Sequence, residues 1–424
     1  MSRNPYSMWA KGILLLVAAL LAPCSFSNAA PPPPAFEVPT VQNVSEVLPR
    51  DLIAGPHYRV RDKVVSYGYM HNFLVDSDWG TFEVTGDLAL RKLIREIGAI
   101  AALQEVKKGQ AYIDGVKKAA SKPVEFGVNL ITDPVDTISG VPKGVAALFQ
   151  NVKTGLTTKP DKNEDSKAEQ MLAVAANKRE LARQLGIDVY SSNKVLQKEL
   201  NSLAWATSLG SLTVSAALMP VGGPAVLGVS LSRTAQKLND MVNEFPPQKL
   251  RQINQEKLLA MGIPQDLATR FLEVQIYTPT QHTIIVSSLE TLSKPKGLDS
   301  FLRYALSADS EESATFFVHI AEMMRGYNMK VAPIDEVSVY GPIVFAKATN
   351  GVVMIPLPID HAIWTERASQ RVPDAFISFK GMHPGLKNYE LWYTGTASKV
   401  VQERSRKLGI KTVENATSKF EFTY

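Results

Sequence analysis

Residues Thr81–Leu103, TFEVTGDLALRKLIREIGAIAAL, change their hydrophobic period halfway along. Phe82 and Val84 alternate with polar neighbours as far as Gly86, the period of a half-buried strand. Beyond Asp87, read here as a helix cap, Leu90, Leu93, Ile94, Ile97, Ile100, Ala101 and Leu103 recur at helical spacing. Arg91, Lys92, Arg95 and Glu96 take the other side. A strand that gives way to so long an amphipathic helix predicts a mixed fold, with the apolar stripe against a protein core rather than lipid.

Upstream, the pattern stays strand-like. Val60, Val64, Val65, Tyr67, Tyr69, Phe73 and Val75 are β-formers, and Asp76–Gly80 (DSDWG) is a turn cluster. Together with Thr81–Val84 they predict a small hairpin. Farther back, Pro31–Pro34 is a four-proline run and the chain stays polar to about Pro49, which reads as a stiff spacer. The start carries the marks of export. Arg3 and Lys11 supply positive charge, Gly12–Leu21 (GILLLVAALL) is a short apolar run, and Ser27-Asn28-Ala29 offers small residues for cleavage after Ala29. The apolar run falls short of the roughly 20 residues a spanning helix needs. Cys24 follows Pro23, which does not suit a lipidation site.

Downstream, helical signals run from about Gly86 to Tyr327. Pro134 and Pro142 punctuate a region ending at Val145–Val152, Lys159–Lys167 reads as a charged loop, and Ala168–Leu185 as a helix stopped by Gly186. Asn193 caps a further helix. Pro247, Pro264 and Pro279 sit near first turns, where a missing N–H costs nothing. Asp309 with Glu312 has the spacing of a capping box ahead of a helix reaching Met324. Phe245–Leu272 and Tyr277–Leu302 share an order of aromatic, proline, helix, glycine and short helix; two copies are too few to define a solenoid. Leu200–Ser232 contains no charged residue. Its serines, its threonines and the break at Pro220–Pro224 favour a buried helical hairpin, with insertion into a membrane as the alternative.

After Tyr327 strands return. Ile343–Ala346 and Val352–Leu357 flank Asn350-Gly351, a strong hairpin signal. Ala375–Phe379, Tyr389–Tyr393 and Ile410–Val413 read as further strands, and Thr396–Leu408 as a helix ended by Gly409. The expected fold class is therefore α+β: a predominantly helical body with an N-terminal β-hairpin and a small C-terminal strand-rich α/β unit. The expected divisions are a signal peptide at 1–29, a Pro-rich linker at 30–50, a mainly helical domain with its hairpin at 51–330, and a strand-rich domain at 331–424.

Composition narrows the function classes. The 424 residues carry a net charge of +5, too small and too evenly spread for a nucleic-acid partner. Cys24 is the single cysteine, so cleavage after Ala29 would leave a thiol-free chain suited to an oxidising compartment. Thiolate metal sites are excluded, and six scattered His residues predict no metal or other cofactor. No HExxH, GxSxG, Walker or GxGxxG motif occurs. Candidates for catalysis come from two places. His71, Asp76, Asp78, Glu83 and Asp87 gather around the hairpin turn, where carboxylates and a histidine suit cation binding or base catalysis. Asp360 and His361, with Glu366, follow the strand Val352–Leu357. Tyr393-Thr394-Gly395-Thr396 reads as an ordinary helix N-cap, with anion binding as the alternative, and His383 as a plain loop residue. The favoured expectation is an exported envelope (periplasmic) protein that binds or scaffolds an unidentified envelope partner without being an enzyme, and that touches the membrane, if at all, through Leu200 to Ser232. A secreted or periplasmic hydrolase or transferase, with its site between the helical body and the C-terminal unit, is the alternative.

Overall fold

The computed structural model describes residues 36–67, 69–109, 162–208, 233–292 and 294–423. The expected signal peptide, the four-proline run, the Pro134–Val152 region and residues 209–232 of the charge-free stretch lie outside the described residues.

The N-terminal strands form more than a hairpin. Strand β1 (Val41–Asn43), helices α1 (Val44–Val47) and α2 (Arg50–Ile53), and strands β2 (Ala54–Gly55), β3 (Tyr58–Val60), β4 (Lys63–Tyr67), β5 (Met70–Ser77) and β6 (Gly80–Thr85) occupy residues 41–85. The strands make one six-stranded sheet in the order β1-β4-β5-β3-β2, with β6 on the other edge of β5. Residues 41–50, expected as spacer, thus supply an edge strand and helical turns. Alternation along β5 turns His71, Phe73 and Val75 inward.

Helix α3 (Asp87–Lys108) follows at once. Its stripe is buried as expected: Leu90, Leu93, Ile94 and Ile97 pack on the sheet with Phe73 and Val75. Ile100 and Leu103 pack instead with helices α4 (Lys162–Leu185) and α5 (Lys194–Ser208). The opposite side is not the solvated face the charges suggest, because Arg95 and Glu96 are buried too. Glu96 accepts from Ser191 Oγ at 2.6 Å and Asn193 Nδ2 at 3.0 Å. A helix enclosed on both sides holds its charges only with such partners. Asn193 also caps α5 through the N–H groups of Val195 and Leu196. Helix α4 begins at Lys162, inside the segment expected as a loop.

Helices α6 (Arg233–Glu244), α7 (Pro247–Ala260), α8 (Gln265–Glu273), α9 (Pro279–Glu290), α10 (Leu298–Ala305) and α11 (Glu311–Lys330) complete the helical body. The two similar stretches are both long–short helix pairs, α7–α8 and α9–α10, whose Phe271-Leu272 and Phe301-Leu302 meet in one core. Pro247 and Pro279 stand in first turns, while Pro264 is itself the cap residue. The cap of α11 is Ser310, paired with Ser313, not Asp309 with Glu312.

Strands β7 (Ile334–Tyr340), β8 (Ile343–Ala348) and β9 (Val352–Leu357), the short β10 (His361–Ala362), helix α12 (Glu366–Met382), β11 (Asn388–Tyr393), the short β12 (Thr396–Ala397), helix α13 (Lys399–Lys407) and β13 (Ile410–Val413) follow. The five-stranded sheet has the order β13-β11-β9-β8-β7, with β9, β11 and β13 parallel and the other pairs antiparallel. Ala375–Phe379 is not a strand. Ala375, Phe376 and Phe379 have the i, i+1, i+4 spacing of a helix face and bury α12 against Phe345 and Leu391. The other sheet face places Val344, Ala346, Met354 and Trp392 in the core shared with α10 and α11. Side chains on both sides of residue 330 therefore build one core, and Glu37–Tyr424 forms one compact unit. The fold is α+β, with helix predominating.

Candidate functional site

The carboxyl ends of parallel strands are where α/β units place their ligand crevices. Here the ends of β9 and β11 lead into Asp360 and Gly395, which lie against each other. A Cβ on Gly395 would stand 2.0 Å from the Asp360 carbonyl oxygen. Thr396 N–H donates to that oxygen at 2.9 Å, and Gly395 N–H to Ile359 O at 3.0 Å. Gly395 is thus packed against backbone, so the Tyr393–Thr396 stretch does not cradle an anion. The following helix starts later, at Lys399, capped by Ser398.

The N-terminal sheet meets this edge. Tyr69, between β4 and β5, has φ of 77°, a left-handed conformation costly for a large side chain. That conformation presents its carbonyl to the N–H groups of Asp360 and His361, both at 3.1 Å. Its hydroxyl lies 2.7 Å from Thr365 Oγ1. Gly86, the residue at the N-cap of α3, has no side chain to satisfy the helix's first amides. Asp360 does so instead. Its carboxylate accepts from Asp87 N–H at 3.2 and 3.3 Å and from His71 N–H at 2.9 Å. Asp87 is therefore the first helical residue rather than the cap. Its own carboxylate is 2.9 Å from His71 Nδ1.

His71, Asp87 and Asp360 form one cluster drawn from a strand, a helix start and a loop. His71 and Asp360 are 5% and 4% exposed, so their charges act at short range with little screening. Burial, reinforced by the Asp87 carboxylate, pushes the Asp360 carboxyl up to about 7. Burial pulls the His71 imidazole down, but its bond to Asp87 and the charges of Asp87 and Asp360 outweigh this and hold it above its ordinary value. His71 Nε2 is buried without a hydrogen-bond partner among the described residues. A proton on Nδ1 donated to Asp87 leaves Nε2 as the bare acceptor. The three donor atoms lie within 4.8 Å of one another, close enough for a cation. Two features oppose one: both Asp360 oxygens already take backbone N–H groups, and the positive end of α3 points into the cluster.

The remaining sequence candidates stand apart. Asp76 is exposed and takes a two-pronged bond from Arg61 at 2.8 and 2.9 Å. That bond, with a second from Thr81, lowers its pKa to about 2. Asp78 pairs with His57 at 2.8 Å on the surface. Asp76→Asn and Asp78→Asn are expected to leave the thermal midpoint unchanged, since exposed pairs contribute little; a clear fall in a melting curve would contradict this. Glu83 and Glu366 are exposed. His361 is half-buried with Nδ1 2.8 Å from Thr396 Oγ1, and its pKa is lowered by burial and by His71. His383 ends α12 and stacks on Phe379 at 4.4 Å.

The sequence reading placed His71 and Asp360 in separate groups; the structure joins them and separates His71 from Asp76 and Asp78. Tyr69 and Gly86 were not singled out for the site. Sequence held one usable signal for His71, its place on the same strand face as Phe73 and Val75.

No known protein family, curated protein or solved structure matches the chain.

Proposed function

We propose that the protein is exported to the cell envelope and works there as a binding or scaffolding module. The observation that carries this is the use made of the convergent polar groups. Asp360 is spent on the amides of His71 and Asp87, His71 is closed over by the sheet, and Asp76 and Asp78 hold surface ion pairs. The groups best suited to chemistry thus serve to join parts of the fold. The export reading rests on the basic start, the short apolar run and the small residues before Ala30.

N-terminal sequencing of the envelope fraction is expected to begin at Ala30, with release by osmotic shock or high salt. Intact Met1 chains in the cytoplasm would refute export, and extraction by detergent alone would favour membrane insertion through Leu200–Ser232. Among the described residues no helix is long and apolar enough to cross a membrane. Cross-linking in intact cells is expected to trap a discrete complex that forms equally with His71→Gln.

One observation favours the second reading, a hydrolase or transferase. His71 Nδ1 is oriented by Asp87, and in the neutral ring with its proton on Nδ1 the unpartnered Nε2 would have the arrangement of a general base. Turnover of an ester or phosphoester panel, abolished by His71→Gln in a folded variant, would establish that reading in place of the scaffold.

A further inference from the structure

We propose that His71, Asp87 and Asp360 form a proton-operated clasp, closed at neutral and acidic pH and loosened in alkali, that fastens the N-terminal sheet and the start of α3 to the carboxyl edge of the C-terminal strands. This concerns regulation of the fold and holds whether the chain binds a partner or catalyses a reaction.

The geometry supplies the device. Each of the three groups comes from a different part of the chain, and the hydrogen bonds of Asp360 cross between them. Two carboxylates face one imidazole: Asp87 Oδ1 lies 2.9 Å from His71 Nδ1 and Asp360 Oδ2 lies 3.9 Å from it. Burial and the neighbouring Asp87 carboxylate both disfavour a charge on Asp360. One added proton, held by the trio as a unit, relieves both effects.

The surroundings agree on direction. His361, in the adjoining β10, feels His71 and, among the described residues, the carboxylates of Glu37 and Glu414. Asp360 and His71 are both shifted upward in the folded chain. The folded state therefore binds more protons than the unfolded chain. Its stabilisation is complete below the ordinary pKa values and is lost as pH rises through about 7 and beyond.

The His71 and Asp87 amides, which donate to Asp360, report directly on opening. Hydrogen exchange of the purified protein, with chelator present and corrected for intrinsic rates, is expected to show their opening constant rising about tenfold from pH 6.5 to pH 8.5. Asp87→Asn keeps the backbone donors but removes one charge, and is expected to flatten that rise. His71→Gln serves the same purpose should Asp87→Asn fail to fold. A flat profile in the natural chain, or an equal rise in a folded variant, would overturn the clasp. So would one equivalent of Zn²⁺ that closes the amides at pH 8.5 in the natural chain but not in the variants, which would mark a cation site instead.

Discussion

Gly395→Ala is expected to destabilise the protein by about 3 kcal/mol, a large fraction of a domain's total stability. The added methyl would meet the Asp360 carbonyl oxygen at 2.0 Å, its carbon at 2.7 Å and its Cα at 2.8 Å. All three are backbone atoms, so no side-chain rotation relieves the overlap. Neither strand end can retreat cheaply. Gly395 N–H holds Ile359 O, Asn415 N–H holds Gly395 O at 2.7 Å, and Asp360 is tied to Tyr69. Urea denaturation followed by circular dichroism measures the loss. Gly381→Ala is the control, because its Cβ would meet nothing within 4 Å. Equal midpoints for the two variants would show that the contact yields.

The second large effect belongs to Asp360→Ala, expected to cost about 3 to 4 kcal/mol near pH 6.5. Two backbone N–H groups, the buried one of His71 and the part-buried one of Asp87, lose their acceptor at once. Asp360→Asn keeps one acceptor oxygen and should fall between. The difference from the natural chain also has a signed pH dependence. The folded pKa of Asp360 is raised by burial, so the natural chain is favoured below about 7 and loses that advantage as pH rises through it. Thermal unfolding at pH 6.5 and pH 8.5 should show the gap narrowing in alkali. A gap that widens would assign the carboxylate a purely charged role, set by its amide donors.

Periodicity and punctuation foretold most elements because both are local. The α3 stripe, the Asn193 cap, the Asn350-Gly351 hairpin and the strand–helix–strand unit of β11, α13 and β13 all follow from spacing. Ala375–Phe379 misled because a short apolar run does not reveal its period, and here Thr365, not a turn, sets it by capping a helix. Glu96 misled for another reason: a helix buried on both sides keeps this charge by pairing it with Ser191 and Asn193, far away in sequence. The site was legible in its members but not in its grouping. His71 and Asp360 were both marked, yet nothing in the spacing of 289 residues says that they touch. Gly395, expected only to open a helix, packs against the backbone of Asp360.

The capping of α3 by a residue 273 positions away constrains the order in which the chain acquires structure. A helix start is usually satisfied within a few residues, as soon as it is synthesised. This one waits until most of the polypeptide exists, and then depends on β9 and β11 being paired. Closing so large a loop is slow, and until it closes the N-terminal sheet is missing part of its support. An N-terminal fragment ending before residue 360 therefore leaves the His71 and Asp87 amides without the carboxylate that accepts from them in the full chain.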